Sequence, residues 1–207
     1  MKTAFVTGAT RSIGRSLAVA FSETGWRVYA VGRNRQVLAD LRADYGIEPL
    51  AFDMTDRVEL RSLTDGLDID LLVHAALRWP DAAGFGDLTE ADIDMGLEVN
   101  FSAALHLTHD LMPQLIADGR SAVLFLAQDA GRDAGVLQVT LGGALEACAG
   151  ALEREFGPAG LTARCLHIGA ELSEAQARDI AEQIDARFHE DGASMPQPSS
   201  HRKDNIQ

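Results

Sequence analysis

The sequence predicts a three-layer α/β domain over residues 1–190, built on a doubly wound parallel sheet of about six strands in the order 3-2-1-4-5-6. Two observations support this fold class. Short apolar runs alternate with segments of helical period, an alternation that produces parallel strands joined by right-handed crossovers. A glycine-rich turn from Gly8 to Gly14 follows the first apolar run and opens the first helical segment. Both features fit the Rossmann arrangement.

The strands are predicted from short apolar runs that end at turn residues. They cover residues 3–6, 27–31, 50–52, 70–74, 122–126 and 161–168. Helices are predicted at residues 16–21, 35–45, 59–67, 90–116, 136–156 and 173–189, the second of them closed by Gly46. A long loop is expected over residues 77–89, and residues 191–207 are expected to form a disordered polar tail.

The composition excludes several classes of function. A chain of 207 residues supports one sizeable core, and its formal charge of −13 argues against nucleic acid or an anionic membrane as a partner. Cys148 and Cys165 lie in neither a disulfide framework nor a metal-ligand spacing, so no metal site is expected and a reducing compartment fits best. Since no apolar run approaches the roughly 18 residues of a membrane span and no signal-peptide pattern is found, we expect a cytoplasmic protein.

The glycine turn predicts a nucleotide-binding site. At the start of a helix, backbone N–H groups can cradle a pyrophosphate, and glycines stand where a side chain would collide with the ligand or a neighbouring strand. A turn that keeps Gly8 and Gly14 for packing alone is the alternative.

The end of the second predicted strand indicates which nucleotide is preferred. An acidic residue there would bind the ribose 2′-hydroxyl of NAD, whereas an arginine pairs with the 2′-phosphate of NADP. This chain offers Arg33 and Asn34 and no acid, with Arg11 close by in the glycine turn. Because a guanidinium group binds phosphate through two parallel hydrogen bonds, NADP(H) is favoured. The alternative is that Arg33 is an ordinary surface arginine.

From Lys2 to about Ser173 the chain resembles the short-chain dehydrogenase/reductase family. Residues 7–14 are similar to the family's TGxxxGIG turn, with Ser12 at the middle glycine, and residues 74–77 occupy the place of its NNAG motif. Asp53 and Met54 resemble its adenine-contacting pair, and Ser173 falls where the family contacts the nicotinamide amide. The cofactor-binding residues expected from the turn, the second strand and this resemblance are Gly8, Thr10, Arg11, Ser12, Ile13, Gly14, Arg33, Asn34, Asp53, Met54, Ala75, Ala76 and Ser173.

The same resemblance puts the family's reaction in doubt. Family members transfer hydride between nicotinamide and a carbonyl or alcohol, with a Ser, a Tyr, a Lys and an Asn handling the proton and the substrate oxygen. Here the aligned positions hold Gln128, Gln138 and Gly142, and only Asn100 is retained. A shifted alignment does not restore the set, because the chain's tyrosines are Tyr29 and Tyr45, and its lysines are Lys2 and Lys203. The family's usual mechanism is therefore expected to be absent.

Several other groups are candidate acids or bases. His74 ends the fourth strand near the expected nicotinamide ribose and titrates in a useful range, although a histidine bonded to the backbone is the simpler interpretation. Asp129 and His167 are weaker candidates of the same kind, and Arg78 and Trp79 begin the loop over the cleft and could contact a ligand. A reductase or a non-redox dehydratase or cyclase that uses such a group is the alternative function, and a nucleotide-sensing regulator is a third.

Two further expectations concern the lid and the partner. After the sixth strand the family places a substrate lid, whereas here one helix and a polar tail follow, which indicates a truncated lid. Family members commonly dimerise through two long helices, here 90–116 and 136–156, and the second is rich in small residues. Packing of those small residues on the chain's own sheet is the alternative. The leading hypothesis is a non-catalytic homodimer, or the inactive subunit of a heterodimer with an intact relative, that binds NADP(H) weakly or not at all.

Overall fold

The computed structural model describes residues 1–81, 84–129, 131, 134–169 and 171–188. Six parallel strands form one sheet in the order β3-β2-β1-β4-β5-β6, which confirms the predicted fold class and strand order. The strands are β1 (Thr3–Val6), β2 (Arg27–Gly32), β3 (Glu48–Ala51), β4 (Leu71–His74), β5 (Ser121–Gln128) and β6 (Leu161–Ile168). The predicted tail, residues 191–207, lies outside the described residues.

Seven α-helices connect and cover the strands within the described ranges. They are α1 (Ser12–Glu23), α2 (Arg35–Tyr45), α3 (Arg57–Thr64), α4 (Glu90–Leu97), α5 (Ala103–Leu115), α6 (Val136–Phe156) and α7 (Glu174–Arg187). One turn of π-helix, Glu98–Ser102, joins α4 to α5, so the helix predicted over 90–116 is continuous but locally widened. β3 begins at Glu48, two residues before the strand predicted at 50–52, and includes Pro49, which is tolerated because this strand lies at the edge of the sheet.

Local hydrogen bonds explain where the helices begin and end. Asn34, Asp56, Thr89 and Ser173 each accept a hydrogen bond from a backbone N–H of the first turn that follows, at the starts of α2, α3, α4 and α7. Gly46 ends α2 in the left-handed conformation, with a φ of 68°, as predicted for a C-terminal glycine.

The core lies in two layers, one on each face of the sheet, because successive strand residues point to opposite sides. Ala4 and Val6 of β1 face the layer formed with α1, α2 and α7, whereas Phe5 between them faces the layer formed with α3, α5 and α6. The sheet is thus covered on both faces, and the carboxyl ends of its central strands remain free to form a site. Within the described ranges, no helix is long and apolar enough to cross a membrane.

Candidate nucleotide-binding cleft

A cleft of about 250 Å³ lies at the carboxyl ends of the strands, where the strand order reverses between β1 and β4. In doubly wound sheets this is the place where ligands bind. The residues that line the cleft are Gly8, Thr10, Arg11, Ser12, Ile13, Gly32, Arg33, Phe52, Asp53, Met54, Ala75, Ala76, Leu77, Arg78, Trp79, Val99, Gln128, Ile168 and Gly169. Most of the predicted cofactor-binding residues are therefore brought together.

The glycine turn is held against the end of β4. The Thr7 hydroxyl accepts hydrogen bonds from the N–H groups of Ala75 and Ala76, at 3.1 and 3.2 Å. Gly8 has a φ of +67°, and a Cβ built on it would lie 2.6 Å from the Ala75 carbonyl oxygen. A Cβ on Gly14 would lie 2.5 Å from the carbonyl oxygen of Gly8. Both glycines are required by contacts within the chain, whatever the cleft binds.

The start of α1 provides the backbone N–H groups that could bind a phosphate in the cleft. Ser12 has a φ of +40°, a left-handed conformation that costs a residue with a Cβ about 1–2 kcal/mol and explains the glycine in the family's turn. No side chain caps the helix at Arg11, so the first-turn N–H groups lack the side-chain acceptor found at α2, α3, α4 and α7. Free N–H groups at a helix start suit an anion. The residues present therefore fit a pyrophosphate.

The β2 end of the cleft carries the predicted nucleotide-discriminating arginine. Arg33 Nη1 donates to Asp53 Oδ2 at 3.3 Å, and both side chains are about half exposed. The pKa of the Asp53 carboxyl is held below its usual value, first by the N–H of Thr55, and also by the Thr55 hydroxyl and by Arg33. The Asn34 side chain caps α2 and is not among the residues that line the cleft, so its cofactor contact stays a prediction.

The charge of the cleft opposes the charge of the chain. Arg11, Arg33 and Arg78 line it, and Asp53 is the carboxylate among its lining residues. A positive cleft in a chain with a formal charge of −13 favours an anionic ligand there.

The retained asparagine fixes the segment that follows β4. Asn100 lies in the π-helical turn and is 2% exposed. Its Oδ1 accepts from the N–H of Arg78 at 2.7 Å, and its Nδ2 donates to the Arg78 carbonyl at 2.8 Å. Both ends of the amide thus hold the backbone of Arg78, which positions Arg78 and Trp79 along the cleft, as the sequence suggested for these two.

The structure brings two of the substituted positions into direct contact. Gln138 Nε2 donates to Gln128 Oε1 at 3.2 Å, and Gln128 lines the cleft at the end of β5. Gly142 packs against the sheet instead, since a Cβ there would meet Ala127 Cβ at 3.5 Å and His167 Cε1 at 3.7 Å. This hydrogen bond was not foreseen, because sequence spacing gives no orientation for an amide.

His74 lacks the environment of an acid. It is 5% exposed, stacks on Phe125 with ring centroids 4.9 Å apart, and contacts the Thr108 hydroxyl through Nε2 at 2.8 Å. Burial lowers the pKa of His74 to about 3, so the imidazole is neutral near pH 7. It does not line the cleft, and we therefore correct the expectation that it could donate a proton to a ligand there.

The remaining candidates also lie apart from the cleft. His167 Nε2 lies 3.6 Å from the Glu146 carboxylate on α6, and the Asp129 N–H donates to the Ile168 carbonyl. Ser173 caps α7 through Gln176 and is not a lining residue, so its contact with the nicotinamide amide stays a prediction. Conversely, sequence reasoning missed Phe52, Leu77 and Val99, which line the cleft but belong to ordinary apolar patterns.

The fold and the cleft define a doubly wound α/β protein with a dinucleotide-type site. A sequence profile described as short chain dehydrogenase matches residues 2–185, and the chain belongs to that family.

Curated relatives match this chain over only part of their own length. An uncharacterized short-chain type dehydrogenase/reductase of Sinorhizobium fredii is 35% identical over 130 residues, which are 63% of this chain and 52% of that protein. Serine 3-dehydrogenase of Agrobacterium fabrum is 35% identical over 121 residues, 55% of this chain and 49% of that one. The chain thus spans about half the length of these relatives.

Solved structures share the fold. A short-chain dehydrogenase from Streptomyces avermitilis has a TM-score of 0.76 at 25% identity, over 84% of this chain and 68% of that chain. A short-chain dehydrogenase from Sphingobium yanoikuyae, solved in complex with NADPH, has a TM-score of 0.78 at 20% identity, over 90% and 85% of the two chains.

Proposed function

We propose that this chain binds NADP(H) in the cleft and does not carry out the family's hydride transfer on its own. It acts as a non-catalytic homodimer or as the inactive subunit of a heterodimer with an intact relative.

The observation that carries this proposal is the Gln128–Gln138 contact at the end of β5. An intact site needs a group there that exchanges a proton with the substrate oxygen, and a nearby cation that lowers the pKa of that group. A carboxamide does neither, because it has no ionisable proton in the accessible pH range. Gly142 supplies no charge at the position aligned with the lysine. Loss of a positioned acid costs about 10²–10⁴ in rate.

The cofactor part of the proposal rests on the charge and shape of the cleft. The N–H groups at the start of α1 would hold the pyrophosphate, with Arg11 beside them, and Arg33 would pair with the 2′-phosphate. NADPH is a hydride donor in this family, but here it would be bound without the proton-handling groups that the transfer needs. The solved relative that contains NADPH supports the choice of ligand.

The partner part of the proposal rests on α4 and α6. Leu97, Val136 and Val139 are 41%, 54% and 50% exposed, so these two helices present apolar side chains that a partner helix would cover. A Cβ on Gly143 would meet no atom within 4 Å, so packing on the chain's own sheet, which accounts for Gly142, does not account for Gly143.

Arg33→Ala is expected to weaken NADPH binding about tenfold, because a charge-assisted bond to phosphate is worth about 1.5–3 kcal/mol and the pair with Asp53 offsets part of it. NADH, which lacks the 2′-phosphate, should bind the variant and the unaltered protein equally. Calorimetric titration of both nucleotides measures this difference.

Arg42→Ala is the matched control, since it removes the same charge from an exposed site at the other end of α2. Equal losses in both variants would contradict the assignment of Arg33. Absence of NADPH binding by the unaltered protein would overturn the cofactor proposal itself. Tight binding that changes association with a partner would move the function toward nucleotide sensing.

A further inference from the structure

We propose that Gln138 is a positioning residue that locks the Gln128 amide with its N–H donors toward the cleft, so that the β5 end of the cleft selects a carbonyl oxygen. This inference rests on the proposed function for its cofactor, but the orientation of the two amides does not depend on it.

The orientation follows from one backbone group whose role is fixed. The N–H of Gly135 can only donate, and it lies 2.9 Å from the Gln138 side-chain oxygen. The Nε2 of Gln138 must therefore point the other way, toward Gln128 at 3.2 Å. Since Nε2 can only donate, the Gln128 atom that it meets is the oxygen. The Gly135 N–H thus fixes the orientation of the Gln138 amide, which in turn fixes the orientation of the Gln128 amide.

The remaining end of the Gln128 amide is its NH₂ group. Gln128 is partly exposed and lines the cleft, and its Nε2 has no hydrogen-bond partner among the described residues. It lies three strands along the sheet from β2, about 14 Å from the Arg33 end at the usual strand spacing. The cleft therefore has phosphate-binding groups at one end and a neutral donor at the other.

A neutral amide N–H can donate a hydrogen bond to an oxygen that carries no charge. A carbonyl oxygen meets this requirement, and it has two possible sources: the carboxamide of the nicotinamide ring, or a separate small ketone or aldehyde. In either case a reversed Gln128, with its oxygen toward the cleft, would repel the ligand. Gln138 thus determines specificity although it is not itself a lining residue.

Gln138→Glu tests the lock without altering the cleft lining. The carboxylate still accepts from the Gly135 N–H, but its second oxygen now faces Gln128, which must rotate its NH₂ group toward it and turn its oxygen to the cleft. Gln176→Glu is the matched control, because the Gln176 oxygen likewise accepts from a backbone N–H three residues earlier, at Ser173, and lies away from the cleft.

The side-chain NH₂ signal of Gln128 is observed by NMR. Its hydrogen-exchange rate is measured without ligand, and its chemical shift is measured with NADPH, 2′-phospho-ADP-ribose and cyclohexanone. In the unaltered protein and in Gln176→Glu we expect rapid exchange, and a shift with NADPH or cyclohexanone that 2′-phospho-ADP-ribose does not cause. In Gln138→Glu we expect slow exchange, no such shift, and about tenfold weaker binding of the carbonyl-bearing ligand.

A shift with NADPH alone identifies the carboxamide as the partner, and a shift with cyclohexanone alone identifies a separate carbonyl ligand; both support the inference. Slow exchange of Gln128 in the unaltered protein, equal responses in all variants, or no shift with either ligand would overturn it. Failure of the proposed function is seen separately, as absence of NADPH binding by calorimetry while cyclohexanone still shifts the Gln128 signal.

Discussion

Gly14→Ala is expected to lower the free energy of unfolding by about 3 kcal/mol and to remove NADPH binding. The added methyl group would lie 2.5 Å from the Gly8 carbonyl oxygen, closer than non-bonded atoms allow, and 3.1 Å from the Thr7 oxygen. The turn cannot move away freely, because the Thr7 hydroxyl is bonded to the N–H groups of Ala75 and Ala76. Relief of the contact must therefore displace the start of α1, which provides the phosphate-binding N–H groups.

Urea unfolding and NADPH calorimetry on the same variant measure the two effects. Ser16→Ala is the control, half a turn along α1, because it removes only a hydroxyl with a long, 3.4 Å contact to the Ser12 carbonyl. That change should alter stability by less than about 0.5 kcal/mol. A Gly14→Ala protein as stable as the control would show that the turn is looser than these distances imply.

His74→Asn is expected to reduce the pH dependence of stability between pH 6 and pH 4. Burial lowers the pKa of His74 from 6.5 to about 3 in the folded state. Between these values the unfolded chain binds a proton at His74 and the folded chain does not, so stability falls as pH falls, by about 1.4 kcal/mol per unit at most. Over pH 6 to 4 the unaltered protein should lose about 2–3 kcal/mol more than the variant.

The hydrogen bonds of the buried ring agree with a neutral imidazole. The Thr108 hydroxyl lies 2.9 Å from the Ala104 carbonyl, which can only accept, so the hydroxyl proton goes there and His74 donates from Nε2. A proton added at Nδ1 would find no partner among the described residues. His109→Gln, at an exposed histidine, is the control for loss of a titrating group. Parallel pH profiles for His74→Asn and the unaltered protein would contradict this account.

The fold was predictable because it follows from local patterns. Periodicity placed β1, α2, α6 and β6 at their observed bounds, and strand–helix alternation with the glycine turn led to the strand order. The edge strand β3 begins two residues before the predicted strand, since an edge position tolerates Pro49 within it.

The site was less predictable, because side-chain partners depend on contacts distant in sequence. Asn34 and Ser173 are short polar residues between a strand and the next helix, where cofactor contacts are expected, yet both cap the helices that follow. His74 was assigned to the cleft edge by its position at the end of β4, but the pleat turns it toward α5. The Gln128–Gln138 hydrogen bond spans ten residues and required a structure.

The most direct test of the central claim is NADPH oxidation by the purified protein in the presence of ketones and aldehydes, at NADPH concentrations that calorimetry shows to saturate it. We predict that NADPH binds and that its oxidation does not exceed the rate in buffer. A triple variant, Gln128→Ser, Gln138→Tyr and Gly142→Lys, serves as the positive control, since it restores the proton-handling groups of the family. Carbonyl-dependent oxidation by the unaltered protein that Asn100→Ala abolishes would contradict the account.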